Sequence, residues 1–233
     1  MELAAYSNIK TKLYNDLDLY DEDFITEAEF LGILNEGIDT IESVIHNLGL
    51  QAKYFLTTDT LSLVSGTSDY SFPSDIYATK FVKVLYVNGD KKYEVNRVRD
   101  LSDTQLFTTG EDYQYLILNL TNGFYQRFYP TPAENGAYII RFYIRNVRKL
   151  TTSTASTNTC ELPECVNFLY QYARVKVWEK EGSPLLADGK NDLKTLHDLM
   201  VSDLQEMVPD EDNTIHPDLS FYTDGSAGVL GGY

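Results

Sequence analysis

The chain has 233 residues, 43% of them hydrophobic, and a formal net charge of −16 at pH 7. This length and composition allow one large hydrophobic core or two small ones. The acidic balance argues against a surface that binds nucleic acid, because affinity for phosphate comes from clustered Lys and Arg. It is compatible with a wall past which DNA slides, and equally with acidity that only keeps the protein soluble.

Targeting and metal-binding signals are absent from the sequence. No segment near the start resembles a signal peptide, and no apolar run approaches the roughly 20 residues of a membrane-spanning helix. Cys160 and Cys165 are too few for a disulfide scaffold, and three histidines do not complete a zinc ligand set around them. We expect no membrane contact, metal or cofactor, and assembly in a cytosol.

The first fifty residues predict two helices. An amphipathic pattern over residues 7–20 has Ser7 as a plausible N-cap, and the acidic residues 21–23 then break it. A capping box from Thr26 to Glu29 opens the clearest helix of the chain, which Gly49 ends. His46 is expected at its surface or edge. The apolar stripe of this helix consists of Phe30, Leu34, Ile38, Ile41, Ile45 and Leu48.

Residues 61–150 are rich in aromatic and β-branched side chains. Asn88-Gly89 and Asn122-Gly123 each separate two β-patterned runs and predict hairpins with type I′ turns. Residues 61–65 predict a strand, and Pro73 places the end of the next run at a sheet edge. In residues 138–145, Phe142 and Ile144 alternate with Arg141, Tyr143 and Arg145, which predicts a strand with one solvated face.

Two more helices are predicted after a polar segment at residues 151–159. The first opens near Pro163 and ends at Gly182; the second starts at Ser183-Pro184 and runs to Pro209. We expect an antiparallel pair that contacts the helix after Thr26. Gly189 should weaken the second helix by roughly 1 kcal/mol relative to Ala. The apolar positions of the second helix include Leu193, Leu196, Met200 and Leu204.

The predicted fold class is therefore α+β, a bundle of N- and C-terminal helices with a central antiparallel β-domain inserted between them. The expected parts are N-terminal helices (1–50), the β-domain (51–150), a flexible loop (151–160), a helical hairpin (161–209) and an extended C-terminal arm (210–233). The arm has too few spaced apolar residues to fold alone, so it should order only on a partner.

No catalytic motif is present: there is no phosphate-binding Gly-rich loop, no HExxH and no Ser-His-Asp order. We therefore expect a protein that is not an enzyme. Three other classes stay open. They are a β-rich carbohydrate- or protein-binding module that uses tyrosines such as Tyr113 and Tyr115, an acid-dyad hydrolase, and a soluble α+β domain without an assigned role.

The order of the motifs resembles a known family. A helix ends near Gly49, a strand leads to Gly66-Thr67 and Tyr70-Ser71-Phe72-Pro73-Ser74-Asp75, hairpins lead to Phe128-Tyr129-Pro130-Thr131-Pro132, and a helix opens at Leu162-Pro163. This order resembles the head-to-tail adaptor proteins of tailed bacteriophages, including the type called tail tubular protein A. The resemblance covers residues 26–208.

The resemblance implies a structural virion protein without catalytic residues. Copies would form a closed ring, typically of twelve, that contacts the portal protein, extends the DNA channel and offers an attachment site to tail, nozzle or further ring proteins. Double-stranded DNA would pass without specific binding. Phe221, Tyr222 and Tyr233 would anchor the C-terminal arm on the portal, since aromatics dominate interface energetics. Helix packing and ring contacts would involve Phe30, Leu34, Ile38, Ile41, Ile45, Leu193, Leu196, Met200 and Leu204.

Overall fold

A computed structural model describes residues 5–19, 24–99, 112–153 and 158–206. Helices lie at both ends of this part of the chain and two β-sheets lie between them, which confirms the α+β class. The elements in chain order are α1 (Tyr6–Leu17), α2 (Glu27–Asn47), α3 (Gln51–Phe55), β1 (Leu56–Ser62), β2 (Asp69–Ser71), β3 (Ile76–Asn88), β4 (Lys91–Glu94), β5 (Asn96–Arg97), β6 (Gln114–Leu120), β7 (Gly123–Tyr129), β8 (Tyr138–Arg145), α4 (Val166–Glu181) and α5 (Leu186–Gln205).

Helix α1 begins earlier than the sequence predicts. Its N-cap is Ala5, which has an extended backbone and forms a β-bridge with Thr159. The Tyr6 N–H donates to the Asn158 carbonyl at 2.9 Å. This pairing with a distant segment fixes the entry into the helix, so Ser7 lies inside the first turn and its prediction as N-cap is wrong. Tyr20 and the acidic residues 21–23 lie outside the described residues.

Helix α2 confirms Thr26 as the predicted N-cap, whereas the Glu29 carboxylate contacts Lys180. Thr26 Oγ1 accepts a hydrogen bond from the Glu29 N–H at 3.2 Å, and this satisfies one of the free donors at the helix start. After the helix, Gly49 has φ +75°, a left-handed conformation that glycine adopts without strain. The predicted end of the helix is therefore also confirmed.

The chain between α2 and the sheets differs from the prediction. Residues 51–55 form the short helix α3, and β1 starts at Leu56 rather than Leu61. A single helical turn is too short to give a periodic signal. Its last residue, Phe55, is buried and belongs to the hydrophobic core of the helical part.

The strands form two four-stranded sheets with orders β1-β8-β3-β4 and β2-β7-β6-β5. Every pair is antiparallel except β5 with β6. The two sheets enclose a second hydrophobic core, separate from that of the helices. Its buried members are Leu63, Tyr70, Val84, Tyr86, Val95, Tyr115, Phe128, Ala137 and Ile139.

Both predicted hairpins are present, but their turns differ from type I′. Asn88 pairs with Lys91, so Gly89 and Asp90 form the first turn and Asn88 is the last strand residue. In the second hairpin Leu120 pairs with Gly123. Neither Asn88 nor Asn122 has positive φ, as both would in the predicted turns.

The burial of β8 differs from the prediction: Arg141 and Tyr143, expected in solvent, are buried, whereas Ile144 is buried as expected. Ile139, Arg141 and Tyr143 point toward the second sheet, and Arg141 is only 4% exposed. Its guanidinium forms a double hydrogen bond with Asp59 of β1 and donates to the Ser71 carbonyl of β2 at 2.8 Å. Because Arg141 is paired on both sides, it connects the two sheets and tolerates burial.

Helix α4 is the central helix of the bundle. It lies between α5 on one side and α1 and α2 on the other, so it buries more of its circumference than the predicted single face. Gly182 ends it in a left-handed conformation, as predicted. Helix α5 ends at Gln205; Pro209, the predicted end, lies outside the described residues.

Gly189 is buried where α5 crosses α4. A Cβ built at this glycine would lie 2.5 Å from Trp178 Cζ3, closer than real contacts allow. The Gly189 carbonyl accepts a hydrogen bond from the buried Gln171 side chain at 3.1 Å. Gly189 therefore permits the close approach of two helices, a role that the expected weakening of α5 did not include.

Candidate functional site

The helical residues predicted for packing or ring contacts lie mostly inside the chain. Phe30, Leu34, Ile38, Ile41 and Ile45 are 0% exposed and face α1, α4 and the end of β8 within one core. Contacts between copies along α2 would therefore have to use other side chains of this helix.

The predicted positions on α5 differ in burial. Met200 and Leu204 are buried against α4, whereas Leu193 and Leu196 are only partly buried. Leu199, next to them on the helix, is 54% exposed. The outer side of α5 therefore offers apolar surface that the chain itself does not cover. The predicted arm residues Phe221, Tyr222 and Tyr233 lie outside the described residues.

The β-part has an open apolar groove where the two sheets meet. It encloses about 390 Å³ between the end of β2, the start of β3 and the start of β7. Phe124 is 48% exposed at its rim, and its ring lies 6.1 Å from the ring of Phe72. Exposed aromatic carbon beside a concavity is typical of surfaces that bind a protein partner.

The floor of this groove includes a strained part of β3. Ala78 and Thr79 have φ of +44° and +59°, and the register with β8 is interrupted between Ile76 and Phe81. A β-branched residue such as Thr79 rarely adopts positive φ. Strained backbone of this kind persists only where surrounding contacts hold it, and it is often found at functional sites.

His46 lies where the helices meet the sheets. Its ring stacks on Tyr77 of β3 at 3.9 Å between centroids, and neither ring nitrogen has a hydrogen-bond partner among the described residues. Burial lowers the pKa of His46, nearby Glu42 raises it and Lys80 lowers it further. His46 is partly buried, which agrees with the predicted edge position, and Phe55 of α3 and Tyr77 of β3 lie against its ring.

Glu42 and Asn35 of α2 attach the helices to the segment after β8. Glu42 Oε1 accepts the Val147 N–H at 2.9 Å. The Asn35 side chain exchanges two hydrogen bonds with the backbone of Leu150, at 2.9 and 3.1 Å. These polar contacts, together with buried Val147 and Leu150, hold the bundle and the sheets in one arrangement.

The two tyrosines considered for a carbohydrate- or protein-binding module contribute to the core between the sheets. Tyr115 is 5% exposed in the core between the sheets. Tyr113 stacks near Tyr86 at 5.0 Å, and its N–H donates to the Tyr93 hydroxyl at 2.8 Å. Tyr115 is therefore too buried to contact a ligand, and Tyr113 is only partly exposed.

Neither cysteine is exposed to solvent. Cys160 and Cys165 are buried free thiols, and burial raises the pKa of Cys165 to about 12. Among the described residues, no three His, Cys, Asp or Glu side chains are placed to hold a metal ion together. Within the same ranges, no helix combines the length and apolarity required to cross a bilayer.

Many cations of the helical part are paired with carboxylates of the same chain. Lys180 contacts Glu29 at 2.7 Å and Lys176 contacts Glu36 at 2.9 Å, both across the α2–α4 contact. Arg174 pairs with Asp16 of α1. Such exposed pairs contribute little stability. They do neutralise the cations, so the surplus of carboxylates determines the field around the bundle.

Two comparisons with known proteins complete this description. The family model described as SU10 adaptor protein matches residues 4–214. This match spans all of the described helices and strands. No curated protein matches the chain.

Proposed function

This chain belongs to the SU10 adaptor protein family, and from that membership we propose that its copies form a closed ring below the portal of a tailed bacteriophage. Membership makes the chain a phage head-to-tail adaptor and a structural component of the virion, with the portal and tail proteins as its partners. The ring itself, with about twelve copies, is the proposal. The observation that carries it is the family match over nearly the whole chain.

The ring would extend the DNA channel below the portal. With a net charge of −16, a wall built from this chain would repel phosphates, so double-stranded DNA would pass without specific binding. The pairing of bundle cations with carboxylates of the same chain supports this proposal, because few of them are free to bind DNA. A protein that must release moving DNA needs such a surface.

Two contacts with other proteins follow from the ring. We propose that the C-terminal arm docks on the portal through Phe221, Tyr222 and Tyr233, as aromatic anchors do in many interfaces. The tail-side partner, a tail, nozzle or further ring protein, would bind the β-part, where Phe124 and the groove beside it expose apolar surface. Assembly would take place in the cytoplasm of the bacterial host. The proposal includes no catalytic step.

The mass of the purified protein in solution tests the ring. Light scattering and negative-stain imaging are applied to the protein alone and mixed with the portal protein of the same phage. A closed ring in either sample supports the proposal. A monomer that persists in both samples overturns it, because a ring that forms on neither occasion cannot extend a channel.

A further inference from the structure

The edges of the two sheets are protected to different degrees. In the sheet β2-β7-β6-β5, the Phe128 N–H of β7 donates to the Ser68 carbonyl. Because hydrogen-bonded and non-hydrogen-bonded pairs alternate along β2 and β7, the Ser71 carbonyl points away from β7. Arg141 covers that carbonyl with a hydrogen bond of 2.8 Å. The opposite edge is β5, which has only two residues. Covered or very short edges do not pair with other chains.

Strand β1 forms an edge of the other sheet and is open. The Leu63 N–H donates to the Ala137 carbonyl at 2.9 Å, and the register with β8 is unbroken from there to Leu56. The backbone groups of Thr58, Thr60 and Ser62 therefore point away from β8. Their side chains are exposed, and no hydrogen bond joins these outward groups to another described residue.

The sequence of β1 has none of the usual features that prevent pairing. It contains seven residues, without Pro, Lys or a bulge. Its one charged residue, Asp59, is bound to Arg141. A long, regular edge whose outward residues are uncharged is a template for a strand of another chain.

Strand β4 forms the opposite edge of the same sheet. The Val95 N–H donates to the Val84 carbonyl of β3 at 2.7 Å. Because hydrogen-bonded and non-hydrogen-bonded pairs alternate along β3 and β4, the backbone groups of Lys92 and Glu94 point away from β3. Lys91 binds Asp112 of its own chain at 2.9 Å, whereas Lys92 makes no ion pair with a described residue. This edge therefore presents a free cation.

The polarity of the sheet allows these two edges to meet. β1 runs antiparallel to β8, β8 to β3 and β3 to β4, so β1 and β4 are antiparallel to each other. If a second copy follows in the same orientation, its β4 extends the sheet beyond β1 with the antiparallel pattern intact. Such a contact uses two different surfaces of one chain, and when it closes it produces a ring.

We propose that β1 of one copy pairs with β4 of the next copy, so that the sheets of neighbouring subunits become continuous around the ring. The inference rests on the ring of the proposed function and identifies its interface. The Lys92 edge meets no like charge in this contact, because the outward residues of β1 are uncharged. The occupant of the open edge is therefore a second copy of this chain.

Thr60→Pro tests the contact selectively. The Thr60 N–H points away from β8, so proline removes an outward donor and obstructs the edge without removing a hydrogen bond within the sheet. Thr60→Val is the matched control because it keeps the N–H. Each variant is mixed with portal protein and imaged, after circular dichroism and thermal unfolding have shown a native fold. We expect Thr60→Pro to lose the ring and Thr60→Val to form it.

Disulfide cross-linking gives a second test that does not depend on proline. Lys92→Cys is combined in turn with Thr58→Cys, Thr60→Cys or Ser62→Cys, because a disulfide requires Cα atoms about 4.4–6.8 Å apart and the register between copies has to be found. Cys160 and Cys165 are buried and remain in place. At least one combination should give a ladder of covalent multimers on assembled rings, and each single variant should give none.

The outcomes separate the two proposals. Rings of normal composition from folded Thr60→Pro, or rings without any cross-link in the three combinations, overturn the pairing of β1 with β4 and leave the ring intact. A link from Thr60→Cys to the portal instead of to a second copy also overturns it. If the unmodified chain forms no ring with or without portal, the proposed function fails, and this interface fails with it.

Discussion

Gly189 of α5 lies directly against the indole of Trp178 in α4, so closely that an added Cβ would be 2.5 Å from Cζ3 and 2.7 Å from Cε3. The indole belongs to the last turns of α4 and would have to shift to make room for a Cβ. Gly189→Ala should therefore destabilise the protein by about 1–3 kcal/mol through overpacking, although alanine favours a helix.

Urea unfolding followed by circular dichroism measures this effect. The matched control is Gly32→Ala, since Gly32 is also within a helix but its added Cβ would meet no atom within 4 Å. The control should gain up to about 1 kcal/mol from helix propensity. An equal gain in both variants would contradict the close approach of the two helices at Gly189.

The pair Asp59–Arg141 should matter more for stability than the pair Asp69–Arg127. The Arg141 side chain is 5% exposed, whereas the side chains of Asp69 and Arg127 are each 30% exposed. Asp59→Ala leaves a buried guanidinium without its carboxylate, and we expect a loss of about 3 kcal/mol. Asp69→Ala, the control, should lose no more than about 1 kcal/mol.

Chemical denaturation of the two variants provides the comparison. A similar loss in both would show that Arg141 is hydrated more than its position between the sheets indicates. The difference also tests the role of Arg141 as the link from β8 to the edge of β2, since the same guanidinium donates to the Ser71 carbonyl.

Local patterns in the sequence predicted the elements with strong signals. Thr26 and Gly49 delimit α2, and the positions of the two hairpins follow from Asn-Gly pairs even though the turns have other conformations. The first turn is shifted because the strand pairing extends through Asn88. Tertiary pairing therefore decided the turn conformation, and local residue preference decided only its approximate position.

The assignment of faces could not be read from the sequence. On β8, alternation alone placed Arg141 and Tyr143 in solvent, yet Asp59 and Ser71 satisfy the arginine and Asp75 accepts the Tyr143 hydroxyl at 2.8 Å. These partners come from distant parts of the chain. Hydrophobic periodicity cannot predict the burial of polar groups whose hydrogen-bond partners are distant in the sequence.

The open edge of β1 could not be predicted from the sequence either, because strand order is established only when the sheet forms. Residues 56–62 carry no charge pattern that marks an interface, and their proposed role follows from the lack of a neighbouring strand on one side among the described residues. The apolar groove at Phe124 depends on the same assembly, since three strands from two sheets form it. Surfaces of this kind can be recognised only in the folded structure.

The arm prediction concerns residues beyond those that the structure describes. The double substitution Phe221→Ala with Tyr222→Ala should weaken binding to the portal by at least about 30-fold, since buried aromatic anchors contribute 2 kcal/mol or more at hot spots. Co-sedimentation of the full chain with portal rings measures the affinity. Thr223→Ala, an adjacent position without an aromatic ring, should bind as the unmodified chain does.

Tyr233→Ala, measured in the same way, determines whether the last residue is a third anchor. Binding of the double variant at unmodified affinity would remove the arm from the proposed portal contact. The helices and sheets should unfold at the same denaturant concentration in all of these variants, because no described element includes the substituted positions.

Protonation of His46 should make the stability of the protein depend on pH. Burial holds its pKa below the usual value of about 6.5, so the unfolded chain binds a proton that the folded chain does not. Stability from this group is complete above pH 6.5 and is lost as the pH falls through 6.5 toward the folded pKa. The free energy of unfolding should therefore decrease between about pH 7.5 and 5.5.

His46→Phe is the informative variant, because it keeps a ring against Tyr77 and Phe55 but cannot take up a proton. The groups that face His46 are Glu42 on its own helix and Lys80 on β3, and both stay in place. Asp69 and Glu36 have lowered pKa values through Arg127 and Lys176, so their contribution is lost only at more acidic pH.

Urea unfolding across this range should show a smaller decrease in the free energy of unfolding for His46→Phe than for the unmodified chain. Parallel curves would mean that His46 becomes protonated in the folded protein as readily as in the unfolded chain.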